Sequence, residues 1–362
     1  MRRDQELKLK QFLSELNTNE RLKLYKQAAH IRKVNRSRSP QREESKHRTA
    51  SLDEIVLQLL ETDQSQSTIE GPTSKGIVKW IGLKTCRVTT QPDQMVYELP
   101  KPKGVAIGDD VLVSRSGSRF SIESILPRRT VLSRPDVGSK YVEQVIAANV
   151  DKVVLVVSVG SPPLHPRIID RYMIAIMKGG AKMVLAVNKC DLLTSENRGM
   201  EMDKLKPYER LMPIVECSTL TGDGLETLRG FISGQVCVFV GHSGVGKSSL
   251  ANSISPKLQL ATGEVSQGYG RGTHTTTAST MYQLSDGTQV IDTPGIRSFG
   301  LWDIPKEELA FYFPEFDSFQ SGCKFRNCSH THEPACAVKE AALSGKISAA
   351  RYDAYMRILT LD

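Results

Sequence analysis

The chain of 362 residues has no run of eighteen or more uncharged apolar residues, which excludes a helical membrane span on length alone. Its first residues lack the apolar core that a secretory signal needs. They are rich in Arg and Ser, as organelle transit peptides are, but Asp4, Glu6, Glu15 and Glu20 are residues that such peptides avoid. A cytoplasmic location is therefore expected, with an organelle of bacterial descent as the alternative. No internal repeat is present. Cysteines are few and odd in number: Cys86, Cys190, Cys217 and Cys237 are scattered, while Cys323, Cys328 and Cys336 are clustered. That pattern leaves no disulfide framework and points to reduced thiols with one metal site.

An excess of one charge sign is also missing from most of the chain. Residues 1–48 hold fourteen Lys/Arg against six Asp/Glu, which accounts for the whole formal net charge of +8 and leaves the remainder neutral. A basic arm on a neutral body suits contact with a polyanion, of which nucleic acid is the usual one; a solvated tail is the plainer reading. The arm to about Val34 spaces its leucines as a weakly amphipathic helix. Residues 36–51 are polar, interrupted by Pro40, and read as a linker. Ser51 with Glu54 three residues later forms a capping signal for a short helix.

The length accommodates two or three domains. Residues 74–127 contain short strand-like runs separated by Gly, Pro and Asp, which predicts a small β-barrel with an OB-fold in first place and an SH3-like barrel as the rival. From about residue 140 the pattern changes to buried apolar strands alternating with helices: DKVVLVVSV, RIIDRYMIAIMKGG ending at Gly179, AKMVLAVNK, MPIVECS and QVCVFVG. This alternation predicts a doubly wound α/β domain with its ligand loops at the strand C-termini. After Gly300 the chain turns helical, passes the cysteine cluster and ends in the helix-like run AVKEAALSGKISAARYDAYMRIL. The expected boundaries are a basic extension and linker over 1–73, the barrel over 74–130, the α/β domain over 140–300 and a helical metal-binding domain over 301–362.

The strongest motif is GHSGVGKS, comprising Gly241, His242, Ser243, Gly244, Val245, Gly246, Lys247 and Ser248, followed by Ser249. It follows an apolar strand and opens a helix, the context in which backbone N–H groups cradle phosphates. Lys247 can reach the β- and γ-phosphates, and the Ser248 hydroxyl can ligate Mg²⁺. DTPG, from Asp292 to Gly295, supplies a second Mg²⁺ carboxylate and a γ-phosphate-sensing amide. NKCD (Asn188, Lys189, Cys190, Asp191) suits guanine, because the Asp191 carboxylate accepts from a ring N–H and an exocyclic amine that adenine cannot offer in that pattern. Cys217 and Ser218, in CST, would bring backbone amides to the guanine oxygen. Between these motifs lies the Gly-rich loop 266–280, in which one of Thr275, Thr276 and Thr277 would complete the Mg²⁺ shell, Thr276 being preferred. Together they imply GTP and GDP as substrate and product.

Two departures from the common pattern stand out. NKCD and CST precede the phosphate loop instead of following it, so the motifs are circularly permuted. After DTPG comes Ile296, where many GTPases place the Gln that orients the attacking water, and an aliphatic side chain cannot do this. Further along, Cys323, Cys328, His330 and Cys336 form C-x₄-C-x-H-x₅-C, a set that suits a structural tetrahedral Zn²⁺, with His332 as a rival to His330.

The barrel, the permuted motifs and CKFRNCSHTHEPACAV together resemble the RsgA family of ribosome small-subunit-dependent GTPases, from about Ser74 to the C-terminus. The resemblance implies an OB domain, a permuted G domain and a helical zinc domain that engage the 30S subunit and its 16S rRNA late in maturation. It also implies slow GTP hydrolysis stimulated by that subunit, with monomer as the default state and no membrane partner. The family loop resembles GRGRHTTT and this chain has GRGTHTTT. Thr273 stands in place of an Arg, and His274 is retained as the candidate water-positioning residue, a phosphate or RNA contact being its alternative. Two rival functions remain at this stage: a large-subunit assembly GTPase, and a non-hydrolysing RNA-binding module that only senses GTP.

Overall fold

Alternation of side chains along the central strand decides the architecture. In β8 (Lys152–Ser158), Val153, Leu155 and Val157 face one core while Val154 and Val156 face another. A strand buried on both faces belongs in the middle of a helix-covered parallel sheet. The computed structural model describes residues 73–116, 119–136, 139–255, 258, 260, 278–293, 296, 299 and 304–361. The basic arm, the linker, the Ser51 helix, Thr273–Thr277 and Gly295 lie outside the described residues.

Thirteen strands are described: β1 (Thr73–Ile81), β2 (Thr85–Gln91), β3 (Val96–Pro100), β4 (Asp110–Ser116), β5 (Arg119–Ile125), β6 (Val131–Asp136), β7 (Ser139–Ala148), β8, β9 (Lys182–Asn188), β10 (Ile214–Glu216), β11 (Val236–Val240), β12 (Ser279–Gln283) and β13 (Gln289–Asp292). The α-helices are α1 (Pro166–Lys178), α2 (Arg198–Asp203), α3 (Leu225–Ile232), α4 (Lys247–Ile254), α5 (Asp317–Gln320), α6 (Ala337–Leu343) and α7 (Ala349–Leu361).

Strands β10, β9, β8, β11 and β13 run parallel in that order, and β12 adds antiparallel to β13. Helix α1 starts on Pro166, whose missing N–H costs nothing at the first helical position, and it covers one face with Ile169, Met173 and Ile176. It ends at Gly179, where a side chain would collide with the Val131 carbonyl of the hairpin β6–β7. Leu228 and Ile232 of α3, with Leu250, Ala251 and Ile254 of α4, cover the other face. Because the five strands are parallel, the segments that follow them emerge at one edge. That edge therefore receives NKCD after β9, CST after β10, the phosphate loop after β11 and the start of DTPG at the end of β13.

Strands β1–β5 form an antiparallel unit around Val78, Cys86, Val88, Leu99, Val111 and Val113. Its two ends meet where Tyr97 of β3 stacks on Phe120 of β5, ring centroids 4.2 Å apart. This unit is continuous with the α/β sheet, a feature that sequence pattern does not reveal. β1 pairs through its first half with β4, while Trp80 and Ile81 at its far end pair with Thr280 and Ser279 of β12. One register row thus runs from Asp292 through Thr280 and Trp80 to Arg87 and Glu98.

The C-terminal helical run is two helices, because the chain turns between α6 and α7 at Gly345, with φ +74°. Their core contains Phe313, Phe316, Val338, Ala341, Tyr355 and Ile358, and Ile174 of α1 inserts into it. The same boundary holds a buried charge network. Arg351 of α7, 1 % exposed, donates to Asp170 of α1 at 2.5 Å and to Glu315 at 2.6 Å. Its guanidinium lies over the rings of Phe313 and Tyr208, and the Tyr208 hydroxyl donates to Asp170 at 2.7 Å. Burial pushes the Asp170 carboxyl up from its ordinary value, opposed by the Arg351 charge and the Tyr208 hydrogen bond.

Candidate nucleotide site and metal centre

The permuted motifs meet in space. Asn188, at the end of β9 and 1 % exposed, donates from Nδ2 to the Val245 carbonyl at 2.9 Å. Lys189 adopts a left-handed conformation, φ +65°, that swings its amine back to the Gly244 carbonyl at 2.8 Å and to the Ser161 carbonyl. Two residues of NKCD are thereby bolted onto the phosphate loop that follows them by more than fifty positions. Gly246 is required at this junction: it sits at φ +90°, and a Cβ there would run into the Asn188 amide. Asn188 Oδ1 is buried without a hydrogen-bond partner among the described residues, a cost that a donor brought by a bound ligand would remove.

Ser218 orients the acidic end of the same loop. Its buried hydroxyl donates to Asp191 Oδ1 at 2.6 Å and accepts from the Leu220 and Thr221 amides at 3.1 Å each. Backbone bonds lock the two loops together, from Cys217 N–H to the Val187 carbonyl and from Cys190 N–H to the Cys217 carbonyl. The Cys190 thiol turns inward to the Val187 carbonyl, and burial pushes it up to about 11. Burial likewise pushes Cys217 up to about 12, so both thiols are packing groups while their backbones shape the loops.

Gly241 to Ser249 form the turn and first residues of α4, with positive φ at Gly241, Gly244 and Gly246. The Lys247 amine reaches the His242 carbonyl at 2.7 Å, while His242 and Ser243 are exposed at the rim. Asp292 ends β13 in register with Thr280, and next to it the buried Thr293 hydroxyl meets Ser279 at 2.7 Å. This pair ties the start of DTPG to the strand that carries β1. Ile296 is 5 % exposed and packs in the same core as Phe299, so its side chain serves the fold. Sequence reasoning missed two supports of this site: the Ser161 carbonyl that holds Lys189, and the Ser279–Thr293 pair. A signal for the first was present in the turn-forming Gly160–Ser161–Pro162 after β8.

In the C-terminal part, the ligand atoms of Cys323, Cys328, His330 and Cys336 all lie within 4.8 Å of one another. His330 Nδ1 is 3.5 Å from Cys336 Sγ and 3.6 Å from Cys323 Sγ. His332 is exposed, and its Nδ1 meets the Thr331 hydroxyl, so His330 is the imidazole of the cluster. Surrounding groups hold it: Tyr352 donates to the His330 carbonyl at 2.6 Å, Tyr355 to the Ser329 carbonyl at 2.7 Å, and Phe316 packs edge-on to the imidazole. Three thiols and one imidazole with no carboxylate among them could hold a soft or borderline divalent metal ion.

A family profile described as RsgA GTPase matches residues 125–302. A relative from Shewanella oneidensis named small ribosomal subunit biogenesis GTPase RsgA is 40% identical over 260 residues, covering 70% of this chain and 73% of its own. A protein of the same name from Flavobacterium psychrophilum is 36% identical over 289 residues, covering 80% and 85%. The chain belongs to the RsgA GTPase family. Solved structures agree with this RsgA assignment. The crystal structure of YjeQ from Thermotoga maritima superposes with a TM-score of 0.66 at 32% identity, covering 80% of this chain and 98% of that one. YloQ, described as a circularly permuted GTPase, gives 0.62 at 26% identity, covering 80% and 94%. The reversed motif order in this RsgA-family GTPase is thus an architecture shared with solved relatives.

Proposed function

We propose that this RsgA-family GTPase binds the small ribosomal subunit late in its maturation, contacts 16S rRNA, and leaves when GTP is hydrolysed. The observation that carries the reading is the bolting of Asn188 and Lys189 onto the phosphate loop, since it joins a guanine-selecting loop to a triphosphate-binding one in a permuted chain. The names borne by its relatives supply the small-subunit context.

Within this reading Asp191, held by Ser218, selects guanine, and the backbone of Cys217 and Ser218 lies beside it. Gly241–Ser249 cradle the phosphates, with Lys247 stabilising charge on the β- and γ-phosphates. Ser248, Asp292 and Thr276 would hold Mg²⁺, which supplies electrostatic neutralisation of the phosphates. Gly295 senses the γ-phosphate, and His274 positions the attacking water, a task closed to the buried Ile296. Units 74–130, 140–300 and 301–362 act as an OB-type barrel, a permuted G domain and a zinc domain. The monomer works in the cytoplasm or in an organelle of bacterial descent. Among the described residues no helix is long and apolar enough to cross a membrane.

The test is GTP turnover by the purified chain alone, with small subunits and with large subunits, using ATP as control. Stimulation by small subunits only is expected; stimulation by large subunits instead, or no turnover at all, would overturn the reading. For the cluster of Cys323, Cys328, His330 and Cys336 we expect one equivalent of zinc. Removing it with a strong chelator should expose thiols and melt the segment around α5–α7, because ligand binding and folding are one equilibrium in such sites. Retention of the helical circular-dichroism signal after complete zinc loss would contradict this.

A further inference from the structure

Between the first two ligand positions of the metal cluster lie Lys324, Phe325, Arg326 and Asn327, all exposed. Phe325 is 40 % exposed, and single exposed apolar residues are common enough that this alone carries nothing. Three further observations give it meaning. The loop is anchored at both ends, by Cys323 and Cys328 and by backbone bonds from Cys328 N–H to the Phe325 carbonyl and from Lys324 N–H to the Ala335 carbonyl. The Lys324 amine lies over the ring, 5.7 Å from its centroid, Arg326 is the next residue in the chain, and among the described residues neither Lys324 nor Arg326 pairs with a carboxylate. The one acidic side chain between Ser321 and Cys336, Glu333, is engaged within its own turn: its carboxylate accepts from the Ser329 amide and hydroxyl and the Thr331 amide. The loop therefore offers a ring and two positive charges, and no acidic residue stands between Cys323 and Cys328.

An exposed aromatic beside cations suits an unpaired nucleobase, since the ring stacks on any base and the cations meet the flanking phosphates. A double helix hides its base faces and could engage only the cations. We infer that the Lys324–Asn327 loop is a stacking platform for an unpaired base of RNA, and, resting on the small-subunit reading, that this base belongs to the small-subunit rRNA. Nothing in this inference depends on the nucleotide site, because Phe325 lies beside the cluster of Cys323, Cys328, His330 and Cys336.

The test uses the full chain and two RNAs, a mixed-sequence single-stranded 12-mer and the same sequence as a duplex. The basic arm at residues 1–48 also attracts polyanions, so the decisive readout is local. Phe325→Trp places a reporter in the loop, and its emission, read as the difference from the unsubstituted chain, should be quenched by the single strand and left unchanged by duplex or heparin. Phe325→Ala should weaken binding to the single strand about 5- to 150-fold, the range expected for one stacked base. Lys324→Gln with Arg326→Gln should lower the salt dependence of binding. Bound zinc and GTP affinity should not change in any of these variants. Equal quenching by duplex and single strand, or unchanged single-strand affinity in Phe325→Ala, would overturn the platform. Small subunits form a separate arm. If the unsubstituted chain fails to bind them, the small-subunit reading falls and the 12-mer still decides the platform; if it binds them and Phe325→Ala binds equally, the rRNA assignment falls.

Discussion

Asp191→Asn is expected to lower GTP affinity by about 10⁴-fold while raising affinity for xanthosine triphosphate, measured by equilibrium titration with both nucleotides. Ser218 holds one oxygen of the Asp191 carboxylate at 2.6 Å, which leaves the other free to accept from guanine in the proposed site. An amide in its place presents an N–H to the exocyclic amine of guanine, donor against donor. Xanthine carries a carbonyl at that position and accepts from the same amide. Sites built around such hydrogen bonds discriminate by about 10⁴–10⁵ when a partner is missing, because buried polar groups are left unpaired. The substitution leaves the fold intact, since Asn can still accept from Ser218. Equal affinity of the variant for GTP and xanthosine triphosphate would remove Asp191 from its assigned place, and with it the guanine specificity read from NKCD.

Arg351→Met should destabilise the protein by about 3–5 kcal/mol in chemical denaturation, the range found when one member of a buried ion pair is removed. Methionine keeps much of the volume, so the loss is electrostatic: Asp170, 3 % exposed, would keep its charge only against the Tyr208 hydroxyl. The sign of the pH dependence follows from the same network. Burial raises the Asp170 carboxyl, and without the Arg351 cation to oppose burial it should rise further, so protonation would relieve part of the loss. The deficit of Arg351→Met relative to the parent should therefore shrink as pH falls through the raised Asp170 value. Adding Asp170→Asn should recover part of the stability at neutral pH. A change below about 1 kcal/mol, the range of an exposed pair, would show that this contact does not fasten the C-terminal helices to α1.

The same helix that carries this network also meets the segment after DTPG. Helix α1 carries Asp170 and Ile174 toward the C-terminal core, and on the same helix Tyr172 packs against Phe299, which follows DTPG by four residues. On the opposite side, Ser279 and Thr280 tie Thr293 and Asp292 to β1. Asp292 and Thr293 thus connect to β1 through a sheet row, while Phe299, beyond DTPG, meets helix α1. Such contacts supply a route by which differential binding at one site can bias the other.

The motifs that the structure brings together were legible in the residues themselves. A Gly-rich loop between an apolar strand and a helix, a carboxylate in NKCD and three clustered thiols each require particular residue types at short spacing, so local order suffices to find them. The two-faced burial of β8 and the limits of α1 and α4 were legible for the same reason, because periodicity and capping are properties of neighbouring residues. What only the tertiary structure decided are relations between distant ones. His330 rather than His332 joins the thiols because the chain turns at φ +60° there and the Tyr352 hydroxyl holds its carbonyl. Strands β1–β5 share a sheet with the parallel strands because β1 outruns β4 and offers Trp80 and Ile81 to β12. Nothing in the residues around Arg351 marks it as buried. Its burial depends on Asp170 and Glu315, 181 and 36 positions away, and no local pattern encodes a partner that only packing brings within reach.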